Sequence, residues 1–239
     1  MKRVSFVVVF FLIFLSAPGY AGFLEELEKG FGLFSSETPD ENTIISGLKE
    51  ALSIGTENAV KSVSQVDGYF GNEMVKILMP EKMQKVADIL GKVGYQQQVD
   101  DFILSMNRGA EKAAPKAASI FVDAIKEMAF EDAKSILDGG DTAATDYFKA
   151  KTSDKIYEIF NPIISASMNE VGVTRSYKEL MDKYTSLPFM EAEQFDLDHY
   201  VTKKAQDGLF YMLGQEEKKI RTDPAARVTE LLQKVFGKQ

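Results

Sequence analysis

The chain has 239 residues, a formal net charge of −8 at pH 7 and no cysteine. This length supports a sizeable core, either as one domain or as two closely packed helical halves. The acidic balance argues against a nucleic-acid-binding protein and against attachment to anionic lipid surfaces, and the missing cysteines exclude a disulfide-stapled secreted scaffold.

The N-terminus has the pattern of a secretory signal peptide. Lys2 and Arg3 precede residues 4–15, which are apolar except for one serine, and Gly19 and Ala21 stand at −3 and −1 of a cut before Gly22. A helix of that apolar run spans about 18 Å, which is too short for the ~30 Å hydrocarbon layer of a bilayer. We therefore expect residues 1–21 to be removed, with cleavage between Ala21 and Gly22, and the protein to be periplasmic. Because no cysteine stands at the cut, it is not a lipid-anchored lipoprotein.

Residues 22–40 are predicted to form an apolar segment and a linker. Phe23, Leu24, Leu27 and Phe31 share one helical face, and glycine and serine follow. Thr38, Pro39 and Glu41 then give a capping hydroxyl, a first-turn proline and a carboxylate three residues after the cap, which is typical of a helix start. We expect a single helical domain over residues 41–239.

Apolar residues recur at three- and four-residue steps along this domain, and no bounded run of period-two alternation indicates a strand. The sequence therefore predicts an all-α fold, a compact bundle of roughly eight to ten helices. The predicted buried stripes are Leu48, Leu52, Ala59, Val63 and Val66; Ile156, Ile159, Phe160, Ile163 and Ile164; Leu197, Val201, Ala205, Leu209 and Leu213; and Val228, Leu231, Leu232, Val235 and Phe236.

Glycine and proline mark the predicted helix boundaries. Pro80 is expected to open a helix that ends near Gly91 or Gly94. Proline removes a backbone donor, so Pro115 and Pro162 are expected to kink or break their helices. Two further boundaries are predicted at Gly139-Gly140, where Asp141 would cap the next helix, and at Asp223-Pro224, which would open the last one.

Several short blocks together resemble a bacterial family of exported, all-helical proteins classed as a domain of unknown function. The likeness covers roughly residues 44–239, with Gly109 standing where a second alanine is expected. It implies the helical fold and export, and it implies no catalytic residue. The blocks are MNRGAEKA at 106–113, FVDAIK at 121–126, GGDTAATDYF at 139–148 and IRTDPAAR at 220–227, with 197–201 and 207–210.

Residues 139–145 are one candidate binding site. Paired glycines before a helix start leave N–H groups that can hold an anion, with Asp141, Thr142 and Thr145 beside them. The alternative, which the sequence favours because Asp141 would repel an anion, is a helix cap and a tight loop. Nearby, Glu131, Asp132, Asp138 and Asp141 do not follow calcium-loop spacing, so we predict a solvated acidic edge and no metal.

Two clusters of arginines and carboxylates are further candidate binding sites. Asn107, Arg108 and Glu111 lie within about one helical turn. Arg221, Asp223 and Arg227 surround the start of the last helix, with Glu216 and Glu217 just before it. Such groups form either an anion clamp or a structural network, and the second is the commoner outcome.

His199 is the single histidine of the chain, without a thiol or a Gly-x-Ser-x-Gly motif to work with, so no catalytic role is predicted for it. The C-terminal third also concentrates aromatic residues, which are more often core than ligand contacts, although aromatic helices can enclose an apolar ligand. These aromatic residues are Phe189, Phe195, Tyr200, Phe210 and Tyr211.

Two functions remain open from the sequence. The favoured one is a periplasmic binding or interaction module that holds a protein partner or an apolar small molecule, with no cofactor, no nucleic acid and no membrane-spanning segment in the mature chain. The alternative is an enzyme acting on a small periplasmic substrate through Glu111, Asp132, Arg221 or Arg227. Convergence of Asn107, Glu111, Asp141 and Arg221 in one pocket would favour specific ligand binding or chemistry.

Overall fold

A computed structural model of the chain describes residues 41–170, 173–186 and 195–227, together with Thr229 and Gln233. Within these residues the regular structure is helical and no strand occurs, in agreement with the predicted all-α class. The helices are α1 Glu41–Ser64, α2 Glu81–Leu90, α3 Gln96–Ala113, α4 Ala117–Glu127, α5 Phe130–Leu137, α6 Ala143–Glu170, α7 Val173–Thr185 and α8 Leu197–Thr222.

Some predictions fall outside the described residues. These are the signal peptide with its cleavage between Ala21 and Gly22, the segment 22–40, and the apolar stripe from Val228 to Phe236. The count of eight to ten helices and the extent of the single domain over residues 41–239 therefore stay predictions.

The predicted apolar face of α1 is buried except at its last position. Leu48, Leu52, Ala59 and Val63 are buried, which confirms the helical spacing. Val66 is 75 % exposed, so its placement in the core was wrong. The reason is that α1 ends at Ser64, after which the chain no longer follows the helical period.

Glycine and proline end helices where expected. Pro80 precedes the first residue of α2, and a π-type turn, Gly91–Tyr95, follows its last residue. Gly94 in that turn has φ 94°, a left-handed conformation that glycine adopts without a steric penalty. Pro115 lies in a 3₁₀ turn, Ala114–Lys116, which separates α3 from α4.

Helix α6 runs through Pro162, so of the two predicted outcomes, a kink or a break, the break is wrong and the kink stays a prediction. The lost N–H donor is a local cost. It is offset because Ile156, Phe160 and Ile164 are fully buried on both sides of the proline. Ile163 is only partly buried and Ile159 is 39 % exposed, so the buried stripe of α6 is narrower than predicted.

Helix α8 packs against α1, α3 and α6 and carries the most regular buried stripe. All five predicted positions, from Leu197 to Leu213, are buried. Phe210 adds an aromatic contact, since its ring lies 6.1 Å from that of Phe121, which in turn lies 5.2 Å from Phe148. None of the described helices combines the length and apolar character needed to cross a membrane.

Candidate functional site

Three polar residues of α3, Asn107, Arg108 and Glu111, contact the segment between α1 and α2. This segment, residues 65–80, is called here the 65–80 loop. Glu111 is buried, and its Oε1 accepts hydrogen bonds from the backbone N–H groups of Tyr69 at 3.1 Å and Phe70 at 3.2 Å. Its Oε2 accepts a hydrogen bond from Arg108 Nη1 at 2.6 Å. Both oxygens of the carboxylate therefore accept hydrogen bonds from donors of this chain.

Asn107 holds the far end of the same loop. Its Oδ1 accepts from the backbone N–H of Ile77 at 2.8 Å, and its Nδ2 donates to the Ile77 carbonyl at 2.8 Å. The same Nδ2 also donates to the Ile103 carbonyl on α3. Because Asn107 is fully buried and an unpaired amide there would be costly, these bonds fix the loop to the helix.

Arg108 joins the cluster to the beginning of the loop. Its Nη2 lies 2.7 Å from Asp67 Oδ1, while Nη1 pairs with Glu111. Hydrogen bonding to Glu111 raises the pKa of Arg108 above its ordinary value, so the guanidinium stays charged. Asp67 has φ 65°, a left-handed conformation that is uncommon for residues other than glycine, and its carboxylate pairs with Arg108.

Tyr69 connects the loop to α8. Its side chain is fully buried and its hydroxyl donates to the Ala205 carbonyl at 2.6 Å. Gly208 on α8 leaves the space for that ring, since a Cβ at this position would lie 2.7 Å from Tyr69 Cε1 and 3.1 Å from Val75 Cβ. The sequence indicated neither residue as part of this cluster.

A second cluster lies at the start of α6. Glu217 on α8 accepts the backbone N–H of Ala144 at 2.9 Å and that of Thr145 at 2.8 Å, together with the Thr145 hydroxyl. Arg221 donates to Glu217 through Nε and Nη2, and its Nη2 also donates to the Ile136 carbonyl. The helix start that the sequence offered as a candidate anion site therefore binds a carboxylate of the chain itself.

The expected cap at Asp141 was wrong. Glu217 of α8 supplies the carboxylate to the first turn of α6, while Asp141 is exposed and makes no such bond among the described residues. Thr142 lies next to the helix start, where its hydroxyl donates to Asp146 Oδ2 at 3.1 Å. Only Thr145, of the three predicted residues here, belongs to the buried cluster.

The other predicted polar residues form hydrogen bonds with backbone groups at the ends of helices. Asp132 Oδ2 accepts the backbone N–H of Ala129 at 3.2 Å, at the start of α5. Asp223 Oδ1 accepts from Ala225 N at 2.9 Å and caps the 3₁₀ turn Pro224–Ala226. Arg227 donates to the carbonyls of Ile220 and Arg221, at the end of α8.

These clusters do not converge. Glu217 and Arg221 line an apolar cavity of about 20 Å³, room for roughly one water, whereas Asn107, Glu111 and Asp141 are not among its lining residues. In the described part of the chain, no group of three or more histidine, aspartate or glutamate side chains is arranged to hold a metal ion. In both clusters, the described arginine and carboxylate groups bond to each other and to backbone groups of the chain.

His199 lies at the surface. Its Nδ1 is 2.8 Å from the Tyr157 hydroxyl, and its backbone N–H donates to Asp196, the cap of α8.

The larger concave surface is a groove of about 430 Å³ beside the 65–80 loop, which we call the lysine groove. Phe195 and Tyr200 form one wall with ring centroids 5.6 Å apart, and the Tyr200 hydroxyl donates to the Leu78 carbonyl. Of the other predicted aromatic residues, Phe210 is core, Tyr211 is half-buried and Phe189 lies outside the described residues. The charged lining residues are Lys76, Glu81, Lys82 and Lys204.

The 65–80 loop itself exposes apolar side chains. Val66, Met74 and Leu78 are 75 %, 66 % and 55 % exposed, although Tyr69, Val75 and Ile77 of the same loop are buried. Sequence reasoning missed both the loop and the groove, because neither follows a helical period. The Pro80 boundary was the one local signal.

Comparison with known proteins places the chain in a family. Searches of curated proteins and of solved structures give no match. A family model described as "Protein of unknown function (DUF4197)" matches residues 38–237, which is most of the chain. The chain therefore belongs to the DUF4197 family, a family of unknown function.

Proposed function

We propose that this protein is exported to the bacterial periplasm and works there as a protein-interaction module, with the 65–80 loop as its recognition element. One observation carries the proposal. Buried polar side chains of α3 fix the loop at both ends, while Val66, Met74 and Leu78 of that loop remain exposed. A fixed loop that displays apolar side chains is suited to binding another protein.

Energetic reasoning supports this use of the loop. Burying one Val, Leu or Met side chain against a partner contributes about 1.5–3 kcal/mol, so these three residues could anchor a small interface. The loop is already ordered by Asn107, Arg108 and Glu111, so binding would lose less conformational entropy than it would with an unstructured segment. The cluster that the sequence marked as a binding site therefore acts indirectly, by shaping the surface that binds.

The other functions weighed from the sequence receive less support. Glu111, Asp132, Arg221 and Arg227 already bond to groups of the chain and are not assembled around one substrate-sized space. An apolar small molecule does not fit the cavity of about 20 Å³ between α1 and α8. We therefore do not propose an enzyme or a carrier of apolar molecules.

Site-specific photo-crosslinking in intact cells tests the interaction. A benzophenone amino acid is placed at Met74 or at Leu78, and at Val122 or Ile159 as controls, which are also exposed apolar positions but lie on α4 and α6. We expect the loop positions to give the same discrete adduct, identified by mass spectrometry, and the controls to give none.

A second set of variants distinguishes specific binding by the loop from nonspecific binding by any exposed apolar side chain. Replacing Val66, Met74 and Leu78 together by serine should remove the adduct captured by a probe at Lys76, while Val122→Ser with Ile159→Ser should preserve it. The proposal would be abandoned if loop and control positions gave the same adducts, or if the serine variants crosslinked as the wild type does.

Export is tested by the N-terminus of the protein purified from its own cell. Cleavage after Ala21 predicts a mature chain that begins at Gly22 and is released from the periplasm by osmotic shock. Recovery from the cytosol of a chain that still carries Met1 would contradict this part of the proposal.

A further inference from the structure

We propose that the lysine groove and the cavity next to it bind an extended segment of the partner protein, in which acidic residues are followed by an apolar side chain. This inference rests on the proposed function, because it names the kind of partner that the 65–80 loop and its surroundings recognise.

The first argument is charge. Among the described residues of the lining, Lys76 and Lys204 stand with Lys82 beside one carboxylate, Glu81. This described part of the lining is therefore basic, on a chain whose formal net charge is −8. A local patch of opposite sign to the whole protein favours carboxylate-bearing segments over basic ones and directs their approach.

The second argument is how the lysines are held. The Lys76 ammonium lies 4.0 Å from the centroid of the Phe70 ring, and that of Lys204 lies 5.9 Å from the Tyr200 ring. No carboxylate in the described part of the chain forms an ion pair with either lysine. An aromatic face positions an ammonium group without using its hydrogen-bond donors, so both lysines retain donors for an incoming carboxylate.

The third argument is shape. A second cavity of about 280 Å³ shares Leu78, Met79 and Gln84 with the lysine groove, so the two lie side by side along the end of the 65–80 loop. A compact ligand would fill one of them, whereas a peptide chain can run across both. The exposed Leu78 side chain lies at their junction, where a protein segment would cover it.

The lining of the second cavity also indicates in which orientation the partner segment binds across the two cavities. Val99 and Ile103 of α3 form part of its wall, and its one carboxylate, Asp88, disfavours a further acid. The acidic residues of the partner are therefore placed over the lysines, and the apolar side chain over Val99 and Ile103.

Peptide binding to the processed chain, residues 22–239, tests the proposal. The probes are fluorescein-labelled hexapeptides with two acidic residues before a leucine or phenylalanine, together with matched peptides in which asparagine and glutamine replace the acids. Fluorescence anisotropy at low salt should show that the acidic peptides bind at least tenfold more tightly than the neutral ones, with a preference that weakens as salt is added.

Charge-reversal variants locate the binding. Lys76→Glu with Lys204→Glu should weaken the acidic peptides at least tenfold, and Lys204→Glu alone should give part of this loss. The matched control, Lys61→Glu with Lys134→Glu, makes the same change in net charge at exposed positions on α1 and α5 and should bind as the wild type does. Circular dichroism checks that each variant keeps its helical content.

The outcomes separate this inference from the proposed function. Equal binding of neutral and acidic peptides, no binding of any acidic peptide, or unchanged binding by the Lys76→Glu, Lys204→Glu variant would each overturn it. So would binding only to vesicles of phosphatidylglycerol, which would indicate a lipid surface. If loop photo-crosslinks persist in the charge-reversal variant, the interaction module stands and the acidic occupant is wrong; if the loop gives no crosslink at all, the proposed function itself fails.

Discussion

Glu111 shows at the scale of one residue why a buried carboxylate need not be catalytic. Two backbone N–H groups and one guanidinium already occupy its oxygens, and it lies under a loop rather than in a cleft. A general base needs an oxygen within reach of a substrate proton. Here the negative charge is used to hold the 65–80 loop.

Glu111→Ala is expected to destabilise the protein by about 2–3 kcal/mol, because it leaves two backbone donors and Arg108 without their acceptor. Urea unfolding followed by circular dichroism measures the change. The matched control is Glu179→Ala, which removes an exposed carboxylate paired with Arg175 and should cost under about 0.5 kcal/mol. Equal effects of the two substitutions would show that the loop does not depend on Glu111.

Tyr69 predicts a specific dependence of stability on alkaline pH. Burial, together with repulsion from Glu111 and Asp207, raises the pKa of Tyr69 above its ordinary value near 10. In the unfolded chain the phenol ionises near pH 10, but in the folded protein it stays protonated to higher pH. Its contribution to stability is therefore complete below pH 10 and is lost as the pH rises above that value.

Tyr69→Phe should cost about 1 kcal/mol at pH 7, through the lost hydrogen bond to Ala205. Above pH 10 only the wild type loses stability through ionisation of this phenol, by up to about 1.4 kcal/mol per pH unit. The difference in unfolding free energy between the wild type and Tyr69→Phe should therefore shrink as the pH rises, and the variant should then become the more stable of the two. Urea unfolding at pH 7, 9, 10 and 11 measures it. Tyr157→Phe, whose hydroxyl contacts His199 at the surface, should show no such convergence, and a Tyr69→Phe difference that stays constant with pH would refute the prediction.

At the scale of secondary structure, helix α6 shows what sequence patterns could and could not predict. Its buried positions follow from the 3.6-residue period, and its start follows from Gly139 and Gly140. Its cap could not be predicted from spacing, because the capping carboxylate, that of Glu217, lies on another helix, 73 residues after Ala144 in sequence. Sequence spacing identifies which residues share a helical face, but it does not identify which element faces them.

The same limit explains the 65–80 loop. Asn107, Arg108 and Glu111 lie within about one turn of α3, as the sequence predicted, and Arg108 pairs with Glu111. Asn107 and Glu111 bond to backbone groups of residues 30 and 42 positions earlier, and Arg108 pairs with the Asp67 carboxylate, 41 positions earlier. No residue type in the loop indicates such contacts. Val66 continues the apolar spacing of α1 in sequence, but the helix ends at Ser64, so its side chain does not reach the core.

Helix α8 offers a matched pair of glycines that tests its contact with the loop. Gly208→Ala places a Cβ 2.7 Å from Tyr69 Cε1, so steric overlap should outweigh the better helix propensity of alanine and destabilise the protein by about 1–3 kcal/mol. Gly214→Ala meets no atom nearer than 3.6 Å, so the propensity term should stabilise it, by up to about 1 kcal/mol. Thermal unfolding compares the two, and opposite signs are expected. A stabilising Gly208→Ala would mean that the Tyr69 ring is not held against α8.

At the scale of the whole molecule, the 65–80 loop belongs to the core as much as the helices do. Tyr69, Val75, Ile77 and Met79 are buried, and the loop is bonded to both α3 and α8. A segment held in this way should open only when the surrounding helices unfold. Its exposed side chains are then displayed from a rigid base, which is the property that the proposed interaction requires.

Amide hydrogen exchange of the processed chain, resolved at single residues by NMR, tests this rigidity most directly. The amides of Tyr69, Phe70 and Ile77 should exchange as slowly as the interior amides of α3 and α8, while that of Met74, bonded to Asn72 at the surface, should exchange much faster. In Glu111→Ala, the protection of Tyr69 and Phe70 should be lost and that of the helices kept. If Tyr69, Phe70 and Ile77 exchanged in the wild type at the rate of unstructured backbone, the loop would not be a fixed recognition element.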